Sequence, residues 1–141
     1  MIILDTNVIS ESMRKLPEGL VMSWLDAQPA ADLFTTAITK AEIFNGIELM
    51  PSSKRNSALL VVAERILEGE LAGRVLPFDH AAAHWFAQIF VARKNRGKPI
   101  DPLDAQIAGI VRSHNATLAT RNTRDFEDCG IHLVNPWHPA E

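Results

Sequence analysis

The chain has 141 residues, 47% of them hydrophobic and 22% charged, an ordinary globular composition in which one core can be buried without disulfides or metals. Its formal charge of −3 excludes a protein that coats nucleic acid by bulk electrostatics, which needs an excess of lysine and arginine. It leaves room for a metal-based site that is itself acidic. A lone cysteine, Cys129, excludes an intrachain disulfide and a cysteine-based zinc site, and leads us to expect a reducing, cytoplasmic setting.

Met1 to Leu4 reads as a short buried strand that ends at Asp5-Thr6-Asn7, with a helix over Val8 to Lys15. Asp5 and Asn7 interrupt the apolar start before a signal-peptide core could form, and no apolar run approaches a membrane span. The N-terminus is therefore expected to belong to the fold. Leu20, Val21, Trp24 and Leu25 recur at helical spacing between Glu18 and Gln28, where Pro29 closes the segment. Leu33 to Ile38 reads as a second strand, followed by a helix from Thr39 to Pro51 with Glu42 in its first turn.

Leu59, Leu60, Ala63, Ile66 and Leu67 predict a helix over Ser53 to Glu70, and Arg74 to Phe78 a third strand. Asp79 can cap a long helix carrying Ala82, Trp85, Phe86, Ile89, Phe90 and Arg93 and ending before Gly97. Asp101-Pro102 is an N-cap followed by proline at the first helical position, so a helix runs on to about His114 with Asp104 in its first turn. Thr117 to Thr120 is a fourth strand, Arg121 to Asp125 a polar loop, and Ile131 to Val134 a last short strand. Strands alternating with helices predict an α/β fold: one domain over residues 1–141, with a central parallel sheet of four to five strands and helices on both faces. Ligands in such folds collect beyond the carboxyl ends of the strands.

Asp5, Glu42, Asp104 and Asp125 come from four distant segments, yet each follows a predicted strand or opens a helix. Carboxylates about 5 Å apart at an effective dielectric near 20 repel by about 3 kcal/mol per pair, so a cluster of them calls for a cation. Hard oxygen ligands of this kind select Mg²⁺ or Mn²⁺ over zinc. Local structure offers a competing account for three of them. Thr39-Lys-Ala-Glu42 has the pattern of a capping box, Asp101-Pro-Leu-Asp104 resembles a cap, and Asp125 could cap a turn at Phe126. Asp5 has the weakest such account, because an acid directly after a buried strand is costly unless partnered.

These residues resemble the PIN-domain nucleases of the VapC and FitB type, the toxin halves of bacterial toxin–antitoxin pairs. The matching elements are Ile-Leu-Asp5-Thr6-Asn7-Val-Ile-Ser, Thr-Ala-Ile-Thr-Lys-Ala-Glu42, Pro-Leu-Asp104-Ala-Gln-Ile-Ala, Thr-Leu-Ala-Thr120-Arg-Asn122-Thr-Arg-Asp125-Phe and the closing Asn135-Pro-Trp-His. They follow in order along the whole chain. The resemblance implies hydrolysis of RNA phosphodiesters with Mg²⁺ or Mn²⁺, with Asp5, Glu42 and Asp104 as metal-holding core acids. It places Thr6 and Asn7 as hydrogen-bonding supports of Asp5, and Thr120 beside them. The fourth acidic place falls to Asp125, with Asn122 as the alternative, since FitB-like relatives carry an Asp at the position resembling Asn122. It further implies a cognate antitoxin, and a homodimer within a toxin–antitoxin complex that binds operator DNA through the antitoxin, with no membrane involved.

Two basic segments, Arg93-Lys94-Arg96-Lys98 and Arg121 with Arg124, are candidates for holding the RNA backbone, the first reading equally well as a solvated helix end. His80 and His84 have a zinc-compatible spacing but no third ligand nearby, and Trp24 and Trp85 read as core, or in Trp85's case as a dimer face. Two other chemistries fit a strand-end acid less well. A haloacid-dehalogenase-type phosphatase needs an acid at position 7, and a phosphoreceiver needs a lysine after a late strand, where this chain has Asn7 and Thr120-Arg121. A non-catalytic PIN-like binding module would not need the complete set of core acids.

Overall fold

The computed structural model describes residues 1–139. Five parallel strands form one sheet: β1 (Ile2–Leu4), β2 (Leu33–Thr36), β3 (Val75–Leu76), β4 (Thr117–Ala119) and β5 (His132–Val134), in the order β3-β2-β1-β4-β5. Six α-helices cover it: α1 (Thr6–Ser12), α2 (Gly19–Asp26), α3 (Ala37–Glu48), α4 (Lys54–Glu64), α5 (His80–Asn95) and α6 (Pro102–Ser113). The predicted α/β sandwich is therefore present, with five strands. Among the described residues no helix is long and apolar enough to cross a membrane.

The strands are short and apolar because both faces of the sheet are buried. Side chains alternate across it: Ile3, Leu118 and Leu133 join Ile89, Ile107 and Ile110 of α5 and α6 on one face, while Leu4, Ala119 and Val134 join Val8, Ile43 and Leu67 on the other. The register pairs Ile3 with both Phe34 and Leu118, so β1 is the central strand. From β1 the chain builds outward through β2 to β3, then crosses back to lay β4 and β5 on β1's other side. The carboxyl ends of β1 and β4 thus flank the point where strand order reverses, the usual place for a ligand crevice in an open α/β sheet.

Several boundaries differ from the sequence reading, and the reasons are local. Helix α1 starts at Thr6 rather than Val8 because the Asp5 carboxylate accepts the Thr6 N–H and acts as its cap. Strand β2 ends at Thr36, not Ile38, and there the Thr36 hydroxyl accepts the Thr39 N–H at 3.0 Å and starts α3 at Ala37. The expected capping box at Thr39 is thereby overturned: Glu42 stands in the second turn of α3, with no terminal N–H to satisfy. The helix expected over Ser53 to Glu70 is continuous, but its last part, Arg65–Glu70, is wound as a π-helix. Asp101 caps α6 as expected, accepting the N–H groups of Leu103 and Asp104 at 2.9 and 3.4 Å.

Candidate active site

Asp5 leaves β1 at the switch point and is 5% exposed. Burying a carboxylate there is costly unless its oxygens are bonded. Oδ1 accepts the Thr6 N–H at 2.8 Å, and Oδ2 accepts the Thr120 hydroxyl at 2.8 Å and the Asn7 amide at 3.4 Å. Thr120, itself fully buried, donates to Asp5 while accepting from Asn7 Nδ2 at 3.3 Å and from the Asn122 N–H at 3.0 Å. One donor and two acceptor positions exhaust a hydroxyl, so Thr120 is a saturated junction between β1, α1 and the loop after β4. Asn7 Oδ1 accepts the Arg121 N–H at 3.2 Å and closes the ring of contacts.

Glu42 reaches the same edge from α3, where Thr6 Oγ1 donates to its Oε1 at 2.9 Å and lies 3.1 Å from Thr39 Oγ1. Burial pushes the Glu42 carboxyl up from its ordinary range; the Thr6 bond opposes this, and the charges of Asp5 and Asp101 add to it. Burial likewise raises Asp5, against the bonds from Thr120 and Thr6, with a further push from Asp125. Asp104, in the first turn of α6, is pushed up to about 7 by burial and then by the charges of Asp5, Asp101, Asp125 and Glu42, with nothing opposing. Asp104 therefore senses every other acid of the group.

The structure brings Asp5, Glu42 and Asp104 to one sheet edge with Thr6, Asn7, Thr120 and Asn122 woven between them. Asp125 lies exposed in the 3₁₀ turn Thr123–Phe126, close enough to act on Asp5 and Asp104 by its charge. That turn is entered from Asn122 with no side-chain cap, so Asp125 caps nothing. Asp101 is a fifth acid that sequence reasoning took only as a helix cap; its charge acts on Asp104 within the start of α6 and on Glu42 through the way α3 and α6 meet. Among the described residues no group of three or more His, Cys, Asp or Glu is gathered closely enough to hold a metal ion as it stands. The edge is an open acidic patch whose donors are hard carboxylate oxygens.

Two arginines of the first basic segment are engaged within the chain, while Lys94 and Lys98 are exposed. Arg93 is 5% exposed, its guanidinium donating to the Lys98, Asp125 and Glu127 carbonyls at 2.8, 2.9 and 3.0 Å. It ties the end of α5 to the turn bearing Asp125 and is not available to a substrate. Arg96 is paired with Asp128 at 3.1 Å. Arg121 is exposed, with its guanidinium carbon 5.1 Å from the centre of the Trp137 ring. Trp24 and Trp85 pack against the two cores as expected, Trp85 beneath the Arg112 guanidinium. A separate groove of about 410 Å³ runs past Val8, Ile9, Met22, Leu25, Ile66 and Leu71. None of the clustered acids lines it.

The model of the PIN domain family matches residues 2–131. A VapC ribonuclease, Y4jK, of Sinorhizobium fredii is 43% identical over 144 residues, spanning 99% of this chain and all of the relative. The toxin FitB of Neisseria gonorrhoeae is 41% identical over 138 residues, spanning 98% of this chain and 99% of FitB. A solved structure of FitAB bound to an IR36 DNA fragment superposes with a TM-score of 0.90 at 40% identity, over the whole of this chain and 99% of the matched one. With an acidic edge at the sheet's switch point and likeness to these proteins from end to end, the chain belongs to the PIN-domain family, among the VapC and FitB toxins.

Proposed function

We propose that the chain hydrolyses RNA phosphodiester bonds as the toxin of a toxin–antitoxin pair, using a divalent cation, Mg²⁺ or Mn²⁺, held by Asp5, Glu42 and Asp104 with Asp125 as the fourth acid. The observation that carries the catalytic reading is the convergence of acids from the end of β1, α3, α6 and the Thr123–Phe126 turn, whose charges add to burial in pushing Asp104 up to about 7. Stability alone would disperse such like charges; a site for a cation would gather them. The donor set fits the group: hard oxygens suit Mg²⁺ or Mn²⁺, and no thiolate or imidazole stands among them. When bound, such a cation neutralises charge on the phosphate and acidifies water for in-line attack.

The chain's own residues supply orientation. Asp5 has both oxygens anchored by Thr6, Asn7 and Thr120, and Oδ1, which takes only the Thr6 N–H, keeps a lone pair for further bonding. Thr6 fixes the Glu42 carboxylate. Asn122, whose N–H is held by Thr120, and the exposed Arg121 and Arg124 are placed to meet the RNA backbone. The toxin–antitoxin reading agrees with the chain's charge: at −3, contact with operator DNA falls to the antitoxin in the complex. A phosphatase reading is not favoured, because Asn7 commits its amide to Asp5, Thr120 and Arg121 where that chemistry needs a free acid.

The test is cleavage of RNA by wild type and Asp5→Asn, with and without Mg²⁺, alongside circular dichroism. Loss of cleavage in the variant and in chelator, with the fold retained, is expected. Equal activity of the two proteins would overturn the reading.

A further inference from the structure

We propose that Trp137 is a positioning residue whose indole face holds the guanidinium of Arg121, a residue tied through its backbone to the Asp5 network, as a preformed seat for an RNA phosphate. This rests on the ribonuclease reading above and names how that site, acidic as it is, keeps hold of an anionic substrate.

Both partners are fixed. Trp137 is 9% exposed and packed in the same core as Leu4 and Ala119, and its backbone N–H donates to Asn135 Oδ1 at 2.9 Å. Arg121 follows Thr120 directly, and its N–H is bonded to Asn7 at 3.2 Å. Its main chain is thereby tied to the network around Asp5, while its side chain crosses to the ring, 5.1 Å from the centroid. A guanidinium lying over an aromatic ring is held by its face, which leaves the N–H edges free for a bidentate bond to a phosphate.

Of the remaining arginines, Arg124 is exposed in the neighbouring turn Thr123–Phe126, whereas three others are committed elsewhere. Arg93 is buried on three carbonyls, Arg96 is paired with Asp128, and Arg112 lies over Trp85 with its NH1 on the Cys129 carbonyl. Among the described residues no carboxylate stands within ion-pair distance of Arg121. A long side chain already held in place loses less rotamer freedom on binding, so the ring converts a mobile cation into a substrate anchor.

The experiment is steady-state cleavage of an RNA oligonucleotide by wild type, Arg121→Ala, Trp137→Leu, Trp137→Phe and the Arg121→Ala/Trp137→Leu pair. Arg121→Ala is expected to raise KM about tenfold with kcat within about twofold, and to lower the slope of log KM against log salt by about one. Trp137→Leu should raise KM roughly threefold, Trp137→Phe should restore it, and the pair should be no worse than Arg121→Ala alone. Should Trp137→Leu not fold, Arg121→Lys carries the test, since an ammonium neither lies flat on the ring nor binds phosphate bidentately; its KM should rise as in Arg121→Ala. Unchanged KM in the Arg121 variants, KM increases that multiply in the pair, or a weakened antitoxin complex with RNA KM unmoved would overturn the proposal and leave the ribonuclease reading standing. A wild type that cleaves no RNA would overturn both.

Discussion

Thr120 shows how much one buried hydroxyl can organise. It holds Asp5 with its hydrogen and takes in Asn7 and Asn122 with its lone pairs, so removing it frees the carboxylate to rotate and unties the loop after β4. Thr120→Val keeps the volume and loses the hydroxyl. The expected result is a fall in kcat/KM of roughly ten- to a hundredfold with a stability loss of about 1–2 kcal/mol, read by cleavage kinetics and urea unfolding. Asp104 allows a test by pH. Its folded pKa of about 7 lies above the ordinary 3.8, so between those values the folded protein holds a proton that the unfolded chain has released. Its contribution is then fully present below pH 4 and lost as pH rises through 7. In chelator, the unfolding free energy of the wild type in urea should fall from pH 5 to pH 8, and that of Asp104→Asn should fall less, exceeding wild type at pH 8 by about 1 kcal/mol or more. Parallel curves for the two proteins would refute the crowding of charge at Asp104. Asp5 and Asp104 were legible in the chain because each adjoins a strand end or a cap, and the support from Thr6 and Asn7 was what the family resemblance implied. Asp101's charge on Glu42 and Asp104 was not, because its own local pattern, a capping Asp before proline, accounts for it completely.

At the level of elements, two features decide where the acids stand. The first is the Thr36 cap, which begins α3 three residues before the Thr39 that the sequence also offers as a cap. Both threonines can cap; Thr36 does so because β2 ends there, and pairing of β2 with β1 and β3 is a long-range event. The second is the closeness of α5 and α6. Gly109 lets α6 approach α5 so tightly that a Cβ there would lie 2.6 Å from the Ala82 carbonyl oxygen and 3.0 Å from the Phe86 nitrogen. Those are backbone atoms and cannot swing aside. Gly109→Ala gains about 1 kcal/mol of helix propensity yet should destabilise by a net 1–2 kcal/mol through overpacking. A lower urea midpoint is expected; a higher one would mean the helices are not in contact there. Arg93 belongs to this scale too. On a helical wheel it fell in line with Trp85, Phe86 and Phe90, and its burial was foreshadowed by that stripe, but the carbonyls it serves come from a turn more than thirty residues later.

For the molecule as a whole, the acid edge couples folding to the cation. Free carboxylates at one edge oppose compaction, and a cation that binds only the folded form stabilises it by mass action. Mg²⁺ or Mn²⁺ at a hundredfold excess over its Kd should stabilise by about 2.7 kcal/mol, a rise in Tm of roughly 10 °C for a chain this size. The rise should be larger at pH 8 than at pH 6 and mostly absent in Asp5→Asn. A Tm indifferent to the cation in the wild type would argue against Asp5, Glu42 and Asp104 as its ligands.

What the chain's sequence determined by itself is the kind of fold and the kind of chemistry. Two-residue and helical periodicities are local properties, so the alternation of strands and helices could be read directly, and so could acids set after strands and at helix starts. What only the tertiary structure decided is which of those local possibilities is used. Strand pairing placed Asp5 beside Thr120, ended β2 at Thr36 and so relieved Glu42 of a capping role; tertiary packing set Asp101 near Glu42, buried Arg93 and laid Arg121 on Trp137. Capping and charge are satisfied by the first suitable partner within a few residues, whereas these contacts join segments up to 115 residues apart. Such contacts depend on the order of the strands within the sheet rather than on any window of sequence.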